Sequence, residues 1–135
     1  MMLEVVPLAV TDVDRSLAFY RDQVGFTLDV DYQPTPAFRV VQLTPPGSAC
    51  SVQLVTGDTR IRGLYLVTDD LAATHAALRT RGVAVGPIRH KTPVDAWSGD
   101  YAPGMDGTRR DYASFADLTD PDGNMWTLQE RGARS

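Results

Sequence analysis

Few residues of this 135-residue chain are suited to acid–base chemistry, and they match no known catalytic motif. His90 and Asp95 could form an acid–base pair, and Tyr101 is a further candidate for moving a proton. Ordinary surface positions are the alternative for His90 and Asp95, because their spacing is not that of a motif. The second histidine, His75, falls within a predicted helix. No Ser-His-Asp order, glycine-rich phosphate loop or nucleotide fingerprint is present.

The composition excludes several function classes. The net charge is −4 and the pI is about 5.0, and the longest basic run is the doublet Arg109-Arg110. Nucleic acids and anionic membranes, which bind clustered lysines and arginines, are therefore not expected partners. Cys50 is the only cysteine, which excludes an intramolecular disulfide and a cysteine-based zinc site. No signal peptide and no apolar run of about 18–20 residues is present, so we expect a cytoplasmic protein.

An internal repeat organises the chain. Val10-Thr11-Asp12 matches Val67-Thr68-Asp69, and Gly25 matches Gly82 at the same spacing of 57 residues. Each copy predicts a strand, an aspartate helix cap, a helix of about three turns, a terminating glycine and further strands. These strands are expected at Phe26–Tyr32, Phe38–Leu43, Cys50–Val55, Val83–Arg89, Asp111–Leu118 and Met125–Gln129, with breaks at Pro34, Pro36 and Pro45-Pro46-Gly47. The pattern predicts an α+β fold of two βαβββ modules, residues 1–58 and 59–135.

The second module contains an insertion at residues 91–110, "KTPVDAWSGDYAPGMDGTRR". An irregular stretch of this length is usually functional or disordered. Its aromatic residues, Trp97 and Tyr101, favour an ordered lid loop. Trp97 could stack on a ligand, contact a partner subunit or simply anchor the loop.

The segment "VTDVDRSLAFYRDQVGF", its repeat and the closing "DPDGNMWTLQE" together resemble the vicinal oxygen chelate superfamily. That superfamily includes glyoxalase I, extradiol dioxygenases, fosfomycin-resistance enzymes and bleomycin resistance proteins. The resemblance implies that the tandem modules form an incomplete, curled β-barrel around a concave cavity. It also implies a homodimer. In the catalytic members, four side chains, usually His and Glu, hold a divalent metal in that cavity.

The four metal-ligand positions that the resemblance implies hold unsuitable residues in this chain. They are Val5, Gln53, Arg62 (or Gly63 after a shift of one residue) and Thr127. A catalytic metal prefers imidazole and carboxylate ligands, whereas valine offers no donor and arginine repels a cation. We therefore expect no metal and no other cofactor, and metal-dependent glyoxalase or dioxygenase activity is not expected.

Without a metal, the concave face becomes a candidate binding cavity. Strand alternation from the implied positions directs residues such as Pro7, Ala9, Ser51, Val55, Leu66 and Gln129 into it, and places Trp126 and Glu130 on the opposite side. Arg62 could bind an anion or could be a solvated residue at a strand edge. The candidate ligand-binding residues are Val5, Phe38, Gln53, Arg62, Leu64, Trp97, Tyr101, Met125 and Thr127.

Two functions are compatible with these residues. The first is a metal-independent binding protein, closest to the bleomycin-resistance branch, that sequesters a hydrophobic or aromatic compound, for example an antibiotic, in a dimer cleft. The second is a metal-independent isomerase, cyclase or lyase acting on a small carbonyl or natural-product substrate. In the second case Arg62 would stabilise an oxyanion while His90, Asp95 or Tyr101 moves a proton. The absence of suitable metal ligands favours the binding protein. A third possibility is an accessory sensor domain without catalytic activity, which the sequence does not distinguish from the binding protein.

Overall fold

The computed structural model describes residues 1–92 and 100–131, and these divide into two compact units. The first unit contains Met1–Ile61 together with Asp120–Asn124, and the second contains Arg62–Thr119 and the chain from Met125 onwards. Each unit contains one sheet and one principal helix, which confirms the α+β class and the tandem modules. No helix in the described part of the chain is long and apolar enough to span a membrane.

The first unit is a four-stranded sheet of order β1-β4-β3-β2 with a helix between β1 and β2. Its elements are β1 (Val5–Val10), α1 (Val13–Ala18) continued by a π-helical segment (Phe19–Val24), β2 (Thr27–Thr35), β3 (Phe38–Thr44) and β4 (Ser51–Thr56). Strands β1 and β4 are parallel, and the other pairs are antiparallel. Leu8, Val10 and Leu54 are buried, while the alternate residues Pro7 and Gln53 are more accessible. We call the side that bears Pro7 and Gln53 the open face of the first sheet.

The turn at Asp120–Asn124 belongs to the first unit, although it comes late in the chain. The Tyr20 hydroxyl donates to Asp120 Oδ2 at 2.8 Å, and the Asn124 side-chain amide donates to the same oxygen at 2.8 Å. The Asn124 amide also donates to the carbonyl of Ala9 at 3.0 Å, and Asn124 Oδ1 accepts from the backbone N–H of Ile61 at 2.9 Å. The turn is therefore bound to the helix, the first strand and the end of the first unit by buried polar contacts.

Asp122, in the same turn, binds the start of α1. Its Oδ1 accepts from the backbone N–H and hydroxyl of Thr11 at 3.2 and 2.6 Å, and from Arg15 at 2.9 Å. Its Oδ2 accepts from the hydroxyl of the fully buried Ser16 at 3.3 Å. Burial raises the pKa of Asp122, but hydrogen bonds from Thr11 and the charges of Arg15 and Arg60 outweigh it, so the net pKa lies below its usual value.

The second unit is a five-stranded sheet of order β5-β9-β8-β6-β7. Its elements are β5 (Arg62–Thr68), α2 (Leu71–Thr80), β6 (Arg89–Thr92), β7 (Asp100–Pro103), β8 (Ser114–Thr119) and β9 (Met125–Glu130). Trp126 and Leu128 are buried on the same side as Glu130, whose Oε2 accepts from the backbone N–H of Leu71 at the start of α2. The predicted positions of Trp126 and Glu130 are thus confirmed. We call the opposite side, which bears Thr127, the open face of the second sheet.

Two local expectations were wrong. The predicted strand at Val83–Arg89 is absent apart from one bridge between Val85 and Leu118, and the strand begins at Arg89 instead. Pro34 does not break β2, which continues to Thr35. β2 is an edge strand of this sheet, so only one of its sides pairs with another strand. An edge strand tolerates proline, because the N–H that proline lacks is not needed on the side without a neighbouring strand.

The insertion at residues 91–110 contains regular structure that the sequence did not predict. β6 pairs with β7 as an antiparallel hairpin, with Lys91 opposite Tyr101. Residues 93–99, which connect the two strands in sequence, lie outside the described residues. Whether this segment acts as a lid stays a prediction.

The two copies correspond with a spacing of 58 residues at the start of the helices and 57 at the end. Asp12 caps α1 and accepts from Arg15 N–H, and Asp70 caps α2 and accepts from Ala73 N–H. The helices end at Gly25 and near Gly82, both with positive φ. The π-helical segment, with a hydrogen bond from Gly25 N–H to the carbonyl of Tyr20, takes up one extra residue in the first copy. If the two copies are aligned only at Gly25 and Gly82, with a spacing of 57 residues, the expected position of β5 is therefore wrong by one residue.

Candidate functional site

The open face of the second sheet brings together side chains from four strands. Thr127 on β9 pairs with Tyr65 on β5 and with Asp117 on β8. Phe115, two residues before Asp117, pairs with Arg89 on β6. Because residues two apart on a strand face the same side, Asp117, Phe115 and Arg89 share this face with Thr127.

An ion pair lies at the centre of this face. Arg89 Nη1 donates to Asp117 Oδ2 at 3.0 Å, and Nη2 donates to Oδ1 at 3.3 Å. The Thr127 hydroxyl donates to Asp117 Oδ1 at 3.0 Å. The side chains of Arg89 and Asp117 are 28% and 37% exposed, so both are reachable from outside. The two-point geometry holds the guanidinium in one orientation.

Aromatic rings surround the guanidinium of Arg89. Its Cζ lies 4.9 Å from the ring centroid of Tyr101 and 5.7 Å from that of Phe115. The two rings meet edge to face, with centroids 5.7 Å apart. Lys91 adds a second cation, with Nζ 5.1 Å from the Tyr101 centroid. We call Arg89, Asp117, Thr127, Tyr101 and Phe115 the Arg89 cluster.

A cavity of about 390 Å³ adjoins the Arg89 cluster. Its walls are mainly apolar and include Pro87, Ile88 and Pro103, while Arg89 and Asp117 supply charge. Small-molecule sites combine apolar walls with a few fixed polar groups in this way, and this volume falls within their usual range. Tyr101 also lines the cavity and is 48% exposed, so its ring is accessible for stacking.

The open face of the first sheet carries the predicted residues Val5 and Gln53. Gln53 pairs with Gln42 on β3 and with Pro7 on β1. Nearby, the hydroxyls of Thr44 and Ser51 lie 2.6 Å apart, and Thr44 also donates to Asp29. By alternation along β3, Phe38 lies on the same face as Gln42, and it is 54% exposed.

The predicted ligand-binding residues of the second unit do not all lie at the same site. Thr127 and Tyr101 belong to the Arg89 cluster, and Met125 lies on the same open face. Arg62 pairs with Met125 and is exposed, with no side-chain partner among the described residues.

Leu64 requires a correction, because it pairs with Trp126 and lies on the α2 side rather than on the open face. Gly63, with a φ of +91°, is an extra residue where the β5–β9 register shifts. The shift also moves Leu66, which pairs with Leu128 on the α2 side, and directs Tyr65 and Val67 to the open face.

Two of the predicted acid–base residues, His90 and Tyr101, face opposite sides of their strands. His90 pairs with Ala102, and its Nδ1 lies 2.8 Å from the carbonyl of Gly104. Asp95 and Trp97 lie outside the described residues. The predicted acid–base pair of His90 and Asp95 therefore stays a prediction.

The four implied metal-ligand positions do not fit a metal. Val5, Gln53, Arg62 and Thr127 provide one amide and one hydroxyl, and the Thr127 hydroxyl is bound to Asp117. In residues 1–92 and 100–131, no three His, Cys, Asp or Glu side chains form a group that could hold a metal ion. No step of a mechanism through a metal can be built on these residues.

Sequence reasoning missed Arg89, Asp117 and Phe115. One signal was available, because Asp117 lies in a correctly located strand at a position that alternation directs away from the buried Leu118. This carboxylate is not at an implied metal-ligand position, and it binds Arg89.

Comparisons with known proteins agree with this fold. The sequence model described as "Glyoxalase/Bleomycin resistance protein/Dioxygenase superfamily" matches residues 2–128. No curated protein matches the chain in sequence. TnmS3, an antibiotic binding protein from Streptomyces sp. CB03234, is 30% identical, with 98% of this chain and 97% of that chain covered and a TM-score of 0.71.

Two further solved structures are similar. A glyoxalase/bleomycin resistance protein from Streptomyces sp. CB03234 is 30% identical, with 95% of this chain and 99% of that chain covered and a TM-score of 0.67. A superfamily member from Sphaerobacter thermophilus DSM 20745 shares the fold at 24% identity, with 96% and 97% coverage and a TM-score of 0.72. The chain therefore belongs to the glyoxalase/bleomycin resistance protein/dioxygenase superfamily.

Proposed function

We propose that this protein binds a small aromatic molecule without a metal and sequesters it, as an antibiotic-binding protein does. The observation that carries the proposal is the Arg89 cluster beside the apolar cavity. Tyr101 offers an accessible ring for stacking, and Arg89 offers directional hydrogen bonds. The similarity to TnmS3, an antibiotic binding protein, supports the same class of function.

Binding is better supported than catalysis. Both oxygens of Asp117 accept hydrogen bonds, from Arg89 and Thr127, which hold this carboxylate in place. His90, the other candidate base, faces away from Tyr101. An isomerase, cyclase or lyase would need a group on the open face that is free to exchange a proton with the substrate.

A homodimer is part of the proposal. Tyr32 and Phe38 are more than half exposed on the β2–β3 hairpin, and Tyr65 and Val67 are about half exposed on β5. Each of these two exposed pairs suits a surface that a second copy covers. Light scattering of the purified protein would test the homodimer, and a monomer at all concentrations would contradict it.

A cytoplasmic location likewise stays a prediction.

The binding function is tested by calorimetry with a panel of aromatic compounds that differ in charge. We expect saturable binding of at least one class at one site per chain. Tyr101→Ala should weaken that binding about tenfold, because one stacked ring contributes about 0.5–1.5 kcal/mol beyond its buried area. Tyr112→Ala is the matched control, since Tyr112 is 46% exposed, close to Tyr101, but does not line the cavity. Mass spectrometry of the bound compound after overnight incubation separates the functions, because a changed compound would indicate an enzyme.

A further inference from the structure

We infer that Arg89 recognises a planar oxyanion, so that the ligand class is an aromatic carboxylate. This inference rests on the proposed binding function and specifies the chemistry of the same site. The inference follows from which hydrogen-bond donors of Arg89 are occupied, from the rings beside Arg89 and from the apolar walls of the cavity.

Arg89 has one occupied edge and one open edge. Asp117 occupies the end of the guanidinium, through Nη1 and Nη2. Nε–H and the second hydrogen of Nη2 point along the adjacent edge and have no acceptor among the described residues. These two parallel donors match the two oxygens of a carboxylate. The open edge is thus a ready-made receptor for a planar oxyanion.

The rings and the ion pair fix the guanidinium before a ligand arrives. Tyr101 and Phe115 hold it by cation–π contacts, and Asp117 is itself held by Thr127. Asp117 and Thr127 are positioning residues, because they act on the ligand only through Arg89. A receptor that is already ordered loses little conformational entropy on binding, which favours affinity.

Two basic side chains lie beside the ring of Tyr101. Arg89 and Lys91 both lie within about 5 Å of the Tyr101 centroid, at 4.9 and 5.1 Å. Asp117 is the one carboxylate that lines the cavity among the described residues. The apolar walls at Pro87, Ile88 and Pro103 accommodate the aromatic body of the ligand while the carboxylate meets the open edge of Arg89.

The test compares 2-naphthoate with 2-naphthamide by titration calorimetry at neutral pH. The two probes have the same shape, but the second is uncharged. We expect the wild-type chain to bind 2-naphthoate at least about tenfold more tightly, because hydrogen bonds to charged groups are the stronger ones. Arg89→Gln should remove this preference. Arg89→Lys should retain only part of it, since an ammonium lacks the fork. Arg79→Gln, at an exposed position on α2, is the control and should retain all of it.

A second measurement does not depend on a variant. In the wild-type protein, the Nε–H nuclear magnetic resonance signal of Arg89 should shift when 2-naphthoate is added and stay unchanged with 2-naphthamide. Equal affinity for both probes would overturn the anion inference and leave the binding function standing. Failure of both probes to bind would overturn the aromatic-carboxylate inference, whereas failure of the whole compound panel would overturn the binding function. A preference for 2-naphthoate that survives in a folded Arg89→Gln protein would overturn the role of Arg89.

Discussion

Replacing Asp122 by alanine should destabilise the first unit strongly, although Asp122 lies in a turn. The side chain is only 3% exposed and accepts four hydrogen bonds, two from Thr11 and one each from Arg15 and Ser16. The hydroxyl of Ser16 is fully buried and would lose this partner, which costs about 1–3 kcal/mol. Arg15 is 49% exposed, so its ion pair contributes at most about 1 kcal/mol. Thr11 is exposed and can bind water instead.

The expected loss in unfolding free energy is therefore about 1–4 kcal/mol. At about 4 °C per kcal/mol for a chain of this size, the melting temperature should fall by about 4–16 °C. Urea unfolding followed by circular dichroism measures the free energy, and thermal unfolding measures the temperature. Asp58→Ala is the control, because Asp58 is an exposed aspartate with no side-chain partner among the described residues. An equal effect of the two substitutions would refute the reasoning.

The difference between wild type and Asp122→Ala should depend on pH. The pKa of Asp122 is lowered in the folded state from the usual value of 3.8, so the folded protein favours the charged form. The stability that Asp122 contributes is fully present above pH 3.8 and is lost as the pH falls through the lower folded value. The gap between the two proteins should narrow below about pH 4. A gap that remains constant down to pH 2.5 would contradict this assignment.

Two further substitutions test other parts of the structure. Tyr20→Phe removes the buried hydroxyl that binds Asp120 at 2.8 Å, and should cost about 1–3 kcal/mol in urea unfolding, whereas Tyr32→Phe, at an exposed ring, should cost almost nothing. Gly63→Ala should cost about 1–2 kcal/mol because its φ of +91° disfavours a Cβ, although no atom lies within 4 Å of that position. Gly107→Ala is the matched control, since it also has open space but no positive φ, and it should be neutral. Equal effects of the two glycine substitutions would rule out backbone strain at Gly63.

The fold was largely predictable from the sequence because its signals are local. An aspartate cap and a terminating glycine bracket each helix, and both act within one turn of the chain. Alternation along β9 was sufficient to separate Trp126 and Glu130 from Thr127, as the burial of the first two on the α2 side confirms. Local patterns of this kind need no knowledge of the neighbouring strand.

Register was harder to predict. The extra residue in the π-helical segment and the bulge at Gly63 each shift the repeat by one position. In a strand, a shift of one residue moves every side chain to the opposite face, which is why Leu64 was placed wrongly. Neither irregularity has a strong sequence signal. Glycine, which marks the bulge at Gly63, also occurs in turns, at helix ends and in loops.

The sequence by itself determined the α+β class, the two-module repeat and the lack of suitable residues at the four implied metal-ligand positions. Only the tertiary structure decided which residues form the candidate site. The Arg89 cluster joins side chains from β6, β7, β8 and β9, and Arg89 lies 28 residues before the carboxylate that it binds. Strand order brings these residues together, and that order depends on how all the strands of the sheet pair, which no short segment of the chain encodes.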